Sequence, residues 1–170
     1  LQREAVAETA SRRPHSDAMV LGIIQSLKRL VGALGSPARK SAWSDYAQSH
    51  SYGDEDFARK LAFVDNAARI APRRVAWDLG SNTGAFSKLL AAHAGFVVAV
   101  DSDHESVERL YRSVRQDGQR NILPLVADLT NLSPDQGWNG SERIAFDKRN
   151  KPDLVICLAV IHHMSLSANI

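Results

Sequence analysis

Apolar residues follow two rhythms along this chain, and the rhythm changes near Arg74. Before that point, Met19, Val20, Ile23, Ile24, Leu27, Leu30, Val31 and Leu34 recur at helical spacing, the stripe of one amphipathic helix. Ser16 or Asp17 can cap it, and Gly35 with Ser36-Pro37 stops it. The stretch Leu1 to His15 is polar and suits at most a loose helix broken by Pro14. A second amphipathic helix is predicted over about Asp54 to Ile70. Asp54, Glu55 and Asp56 sit at its positive end, Phe57, Leu61 and Val64 form its inner face, and Pro72 follows it. The loop between the helices carries Trp43, Tyr46 and Tyr52, with Lys60 nearby on the second helix; these aromatics can cover a ligand pocket or stack on substrate, and read first as pins of a lid helix to the core.

From Arg74 the apolar residues cluster in short runs separated by helical segments. Val75-Ala76-Trp77 predicts a strand, Asp78 to Gly84 a glycine loop, and Ala85 to Ala94 a helix resting on Phe86, Leu89 and Leu90. Phe96 to Val100 is apolar throughout, as in a strand buried on both faces. Ser102 or Asp103 caps a helix through about Gln116, with Val107, Leu110, Tyr111 and Val114 inward. Ile122 to Val126 and Leu154 to Leu158 are two further strands. Strands alternating with helices give the α/β class, a doubly wound parallel sheet with right-handed crossovers. Three segments follow: a polar arm and helix over 1–35, a linker and lid-like helix over 36–73, and the sheet domain over 74–170.

Composition narrows the picture only a little. The net charge of +2 and pI near 8.9 are too mild to indicate nucleic acid by themselves. The basic excess lies before Val75; it can meet an anionic substrate and reads first as solvated surface. One cysteine, Cys157, permits no internal disulfide and suits a reducing, cytoplasmic setting. No apolar run approaches the roughly 20 residues that span a bilayer. The chain begins at Leu1 and stops at Ile170 without a polar tail, so both ends look cut, as in a fragment or processed chain.

The chemistry concentrates where strands end. In Asp78-Leu79-Gly80-Ser81-Asn82-Thr83-Gly84, Gly80 lets the chain turn and Gly84 lets the helix start pack closely. A ligand there meets free N–H groups of the helix, which favour a carboxylate or phosphate. Asp101 closes the second strand, where a carboxylate can accept both hydroxyls of a ribose. Asp128 closes the third, where it can accept from an adenine amino group. Three acids above one glycine loop outline a nucleoside-shaped site at the switch point of the sheet.

The order VAWDLGSNTG, VVAVD, LVAD and DLVICLAVIHHM resembles motifs I to IV of class I S-adenosylmethionine (SAM)-dependent methyltransferases, over about Arg74 to Met164. The resemblance implies a Rossmann-like sheet, SAM as cofactor, and methyl transfer to an unidentified acceptor. It implies Gly80 and Gly84 around the methionine part, Asp101 on the ribose, and Asp128 with Leu129 at the adenine. Asp78 would belong to the loop that positions the amino acid end, and Asn82 stands where a glycine is frequent. The stretch from Gly137 through Ile170, with Trp43 and Tyr46, also resembles bacterial nodulation-related, NoeA-like methyltransferases.

Beyond the fourth strand, His162 and His163 stand at the expected mouth of the transfer site. One of them can act as general base or hydrogen-bond partner of the acceptor, or the pair can simply pack. Cys157 has no Pro-Cys context and reads as a strand residue, not a nucleophile. His15, His50, His93 and His104 have no zinc-like spacing, so no metal is expected. The acceptor is open between small molecule, protein and RNA, no membrane is expected, and the first helix offers a homodimer contact. Two alternatives remain at this stage: a nicotinamide oxidoreductase, which would want G-x-G-x-x-G, and a non-catalytic interaction module. The resembled family has seven strands against the four found, so the natural chain is expected to continue past Ile170 and this piece to be poorly active alone.

Overall fold

The computed structural model describes residues 16–34 and 53–167, with backbone alone at 166 and 167. The arm 1–15, the stretch 35–52 with Trp43, Tyr46 and Tyr52, and the end 168–170 lie outside the described residues. The chain divides into two compact units, 1–38 and 39–170.

In the first unit, α1 spans Asp17–Ala33. Ser16 is its N-cap, the Oγ accepting from the Met19 N–H at 3.3 Å. The apolar stripe anticipated from the sequence is present but uncovered, and no residue of α1 is buried.

The second unit runs α2 (Asp54–Arg69), β1 (Arg73–Leu79), α3 (Ala85–Ala91), β2 (Ala94–Asp101), α4 (His104–Gln116), β3 (Ile122–Val126), α5 (Phe146–Arg149), β4 (Leu154–Cys157) and α6 (Ile161–Ser167). All three strand pairings are parallel, in the order β3-β2-β1-β4. Successive strands step outward from β1 to β3, then the chain returns to the other side of β1. The carboxyl ends of β1 and β4 therefore part at a switch point, where such sheets open a crevice.

The strands alternate between two cores. Ala76, Val97, Ala99, Ile122 and Ile156 pack with Val64 and Ala68 of α2, Leu90 of α3, and Leu110 and Val114 of α4. The opposite face gathers Trp77, Val98, Val100 and Leu125 beneath Phe146 and the segment around Leu129 and Leu132. β2 is buried on both faces, which explains its unbroken apolar run. At the base of the sheet the Asp153 carboxylate accepts from the N–H groups of Val75 (3.1 Å) and Arg74 (2.7 Å). These bonds, with the Arg74 guanidinium, hold its carboxyl below the usual range and align the starts of β4 and β1.

One sequence expectation changes. Tyr111, expected inward on α4, is exposed and lies under the Arg115 guanidinium, 5.7 Å from the ring centroid. The stretch after Asp128, where the apolar pattern marks no element, contains a 3-10 turn at Trp138–Gly140 and the short α5. Its buried anchor in the second core is Phe146, whose ring centroid lies 5.3 Å from that of Trp77, with Leu129 and Leu132 partly buried beside it. Three apolar residues at spacings of 3 and 14 give no periodicity to read.

Leu110 is fully buried at the meeting of α4 with the sheet and the glycine loop. Leu110→Ala is expected to lower unfolding free energy by about 2–5 kcal/mol. A urea titration checks this, as a lower midpoint at unchanged slope.

Candidate functional site

The loop after β1 is shaped by its left-handed residues. Gly80 has φ +78°, and a Cβ there would lie 2.0 Å from Val160 Cγ2, just beyond β4. Gly84 has φ +83°, and a Cβ there would lie 2.2 Å from Leu110 Cδ1. Both glycines are thus required by backbone conformation and by neighbouring side chains. Asn82 is also left-handed, at φ +48°, a region that asparagine tolerates better than most side chains. Its Oδ1 accepts from the Thr83 N–H at 2.7 Å. Asparagine at the frequent glycine position therefore leaves the turn intact.

Asp101 ties this loop to β2. Its Oδ2 accepts from the Asn82 N–H at 2.7 Å and its Oδ1 from the Asp103 N–H at 2.8 Å. The loop backbone joins the same strand end, with the N–H groups of Gly80 and Ser81 donating to the Val100 carbonyl. Asp128 lies at the end of β3, where Oδ1 accepts from the Thr130 hydroxyl (2.7 Å) and N–H (2.9 Å). Those two bonds hold its carboxyl below the ordinary value.

A cavity of about 290 Å³ opens among these strand ends. It lies at the small end of the roughly 300–1,000 Å³ typical of ligand sites. Of the residues singled out from sequence, Gly80, Asn82, Asp101, Asp128, Leu129 and His163 line it. Asp78, Gly84 and His162 do not. Asp78 lies beneath the loop, 2% exposed, accepting from Ser87 Oγ at 2.5 Å. Burial pushes its carboxyl up to about 6, Ser87 opposing and the Asp101 charge adding. His162 is exposed on the first turn of α6, its ring centroid 4.0 Å from that of His163. Burial, then the Asp78 charge, raises the Cys157 thiol, so it is a poor source of thiolate.

The far wall was not named from sequence as part of the site. Leu158, Ala159, Val160 and Met164 line it, and Thr130 and Ser102 flank the two acids. Ala159 has φ +56°, a strained conformation for a residue with a Cβ. Sequence offers one usable signal here: Thr130, two residues after an aspartate, matches the side-chain turn that Asp128 makes. The apolar wall residues carry no such mark.

The FtsJ-like methyltransferase family model matches residues 58–164, more than half of the chain. The chain belongs to that family. The motif order read as a class I SAM-dependent methyltransferase is upheld, and the nicotinamide alternative falls away. This FtsJ-like chain is also 32% identical over 168 residues to nodulation protein NoeA of Rhizobium meliloti (strain 1021), covering 97% of the chain and 35% of that protein. It thus spans about a third of the length of the curated relative it matches. Among solved structures, a protein of Pyrococcus horikoshii provisionally named an RNA methyltransferase is 17% identical, with TM-score 0.45, over 77% of this chain and 57% of that one. The Trm5b protein of Pyrococcus abyssi is 26% identical, with TM-score 0.40, over 45% and 23% respectively.

Two measurements probe this FtsJ-like site. Gly80→Ala is expected to destabilise by at least the roughly 1–3 kcal/mol of a strained backbone, with Val160→Ala restoring part of the loss in the double mutant. Thermal or urea unfolding of the four proteins reads that coupling. The raised Asp78 carboxyl favours the folded state at low pH, where both states are protonated at this residue. That contribution fades as pH rises through about 6. Asp78→Asn should therefore gain stability relative to wild type between pH 4 and pH 8, by up to about 3 kcal/mol. A constant difference across that range would contradict it.

Proposed function

We propose that this chain carries the SAM site of a methyltransferase and holds the cofactor in the cavity between the glycine loop, β2, β3 and β4. The single observation that carries the reading is that the Asp101 and Asp128 carboxylates border one cavity beside the loop of Gly80 and Asn82. The donor and acceptor chemistry fits the group. Two carboxylates can accept from ribose hydroxyls and an exocyclic amino group, and acidic surroundings suit a sulfonium cation. The loop also contains a buried hydroxyl, Ser81 Oγ, 5% exposed and without a hydrogen-bond partner among the described residues.

In this reading Asp101 holds the ribose while its two backbone bonds keep the loop closed on β2. Asp128 and Leu129 receive the adenine, with the carboxylate oriented by Thr130. Gly80 and Asn82 form the wall at the methionine end, while Gly84 and Asp78 act from beneath by shaping the loop. When bound, SAM would supply an electrophilic methyl carbon, which an aligned nucleophile takes in one direct displacement with the thioether of SAH as leaving group. The chain's share is to align the partners, exclude water with Leu158, Val160 and Met164, and take up a proton if the acceptor carries one. His163 is the histidine for that task, since it lines the cavity. His162, exposed beside it, would assist only through His163.

The segment boundaries 35/36 and 73/74 belong to this proposal, with 36–73 as a lid-like element over a SAM domain at 74–170. The exposed stripe of α1 supports self-association of that helix between two copies. No helix among the described residues is long and apolar enough to cross a membrane. The lone cysteine supports a cytoplasmic setting, and the likeness to the Rhizobium meliloti protein supports a bacterial one.

Calorimetric titration with SAM, its demethylated product SAH, and NAD tests the site. SAM and SAH are expected to bind, and Asp101→Asn to weaken SAM at least about tenfold, or 1.4 kcal/mol. Binding of NAD without SAM would overturn the reading. With binding in hand, labelled SAM offered with small molecules, protein and RNA identifies the acceptor class.

A further inference from the structure

We infer that Asp78 is a proton-linked sensor beneath the cofactor loop, so that binding of the sulfonium cofactor expels a proton from the protein and tightens as pH rises. The inference rests on the SAM reading of the cavity and adds a regulation to it.

Asp78 ends the buried part of β1, two residues before Gly80, which lines the cavity. Its carboxylate is 2% exposed, and its hydrogen-bond partner Ser87 of α3 is 0% exposed. The groups that act on it from neighbouring elements are neutral or acidic: Ser87 from α3, Asp101 from the end of β2, and Cys157 from β4. None of them is a cation. The cavity above adds the Asp128 carboxylate and the His163 imidazole. A buried acid is thus set under a ligand site, beside a second acid, with no positive charge among the described residues acting on it.

Such a carboxyl stays partly protonated near neutrality because its charged form is desolvated; here it lies at about 6. A cation entering the adjacent cavity supplies the missing charge and favours the carboxylate. By linkage, the ligand that lowers the carboxyl's pKa binds more tightly once the proton has left. SAM carries the sulfonium charge, whereas the thioether sulfur of SAH is neutral. The two ligands therefore differ in proton release, and their affinity ratio changes with pH. This gives the site a way to favour fresh cofactor over spent product in less acidic conditions.

The test is isothermal titration of the full chain with SAM and with SAH, from pH 5 to pH 8, in two buffers of different ionisation enthalpy. Release of about half a proton per SAM is expected between pH 5.5 and 6, with clearly less for SAH. SAM affinity is expected to fall several-fold, up to about tenfold, from pH 7.5 to pH 5. Asp78→Asn should abolish the exchange, read at SAM concentrations high enough to saturate the variant. His163→Gln should retain it, which separates the two titratable candidates. Ser87→Ala keeps the carboxyl but removes its donor, and should move the midpoint of exchange to higher pH. That variant decides the matter if Asp78→Asn does not fold. SAM binding without proton exchange, or exchange lost in His163→Gln and kept in Asp78→Asn, overturns the inference and leaves the site reading standing. Failure of SAM to bind at any pH overturns both.

Discussion

The Asp101 carboxylate holds two backbone amides, Asn82 on one side and Asp103 on the other, and the site is organised around that pair of bonds. One bond closes the glycine loop onto the end of β2; the other starts the turn into α4. Asp103 then caps α4 by accepting from the Glu105 N–H and the Ser106 hydroxyl. A single carboxylate at the end of the most buried strand thus sets where the loop lies, where the next helix begins, and where the cavity opens. Its strength comes from β2, which is paired on both sides and apolar on both faces. A charged acceptor bonded to backbone N–H groups is among the stronger polar contacts, roughly twice a neutral one.

The other constraint is steric. Gly80 yields space to Val160 and Gly84 yields space to Leu110. The loop is therefore clamped between the segment after β4 and the helix after β2, and its geometry depends on elements distant in sequence. The same arrangement places Asp78 under the loop in a desolvated pocket. The site's acids consequently differ in kind. Asp101 and Asp128 accept from backbone N–H groups and line the cavity, while Asp78 is buried beneath the loop and accepts from the Ser87 hydroxyl.

The sheet was legible because its strands are apolar on both faces and its helices carry clear stripes, so Phe96–Val100 and the face of Val107, Leu110 and Val114 identify themselves. The positions of Asp101 and Asp128 followed directly, since strand ends in a parallel sheet converge. Spacing shows that Asp78 and Gly84 belong to the loop, not which way each residue faces, and neither lines the cavity. The two histidines are adjacent in sequence, and only the start of α6 at Ile161 decides that His163 faces inward. Val160 and Ala159 had no signal, because an apolar residue after an apolar strand looks like more strand. Trp138 and Phe146 lie in a stretch built from turns and a one-turn helix, where periodicity has too few residues to appear.

The most direct test of the account is an amide chemical-shift titration of the isotope-labelled chain with SAM. The predicted result is saturable shifts clustered at Gly80, Asn82, Asp101 to Asp103 and Asp128 to Thr130, reaching His163 on α6. Absence of shifts at saturating SAM, or shifts confined to residues away from these strand ends, would contradict it.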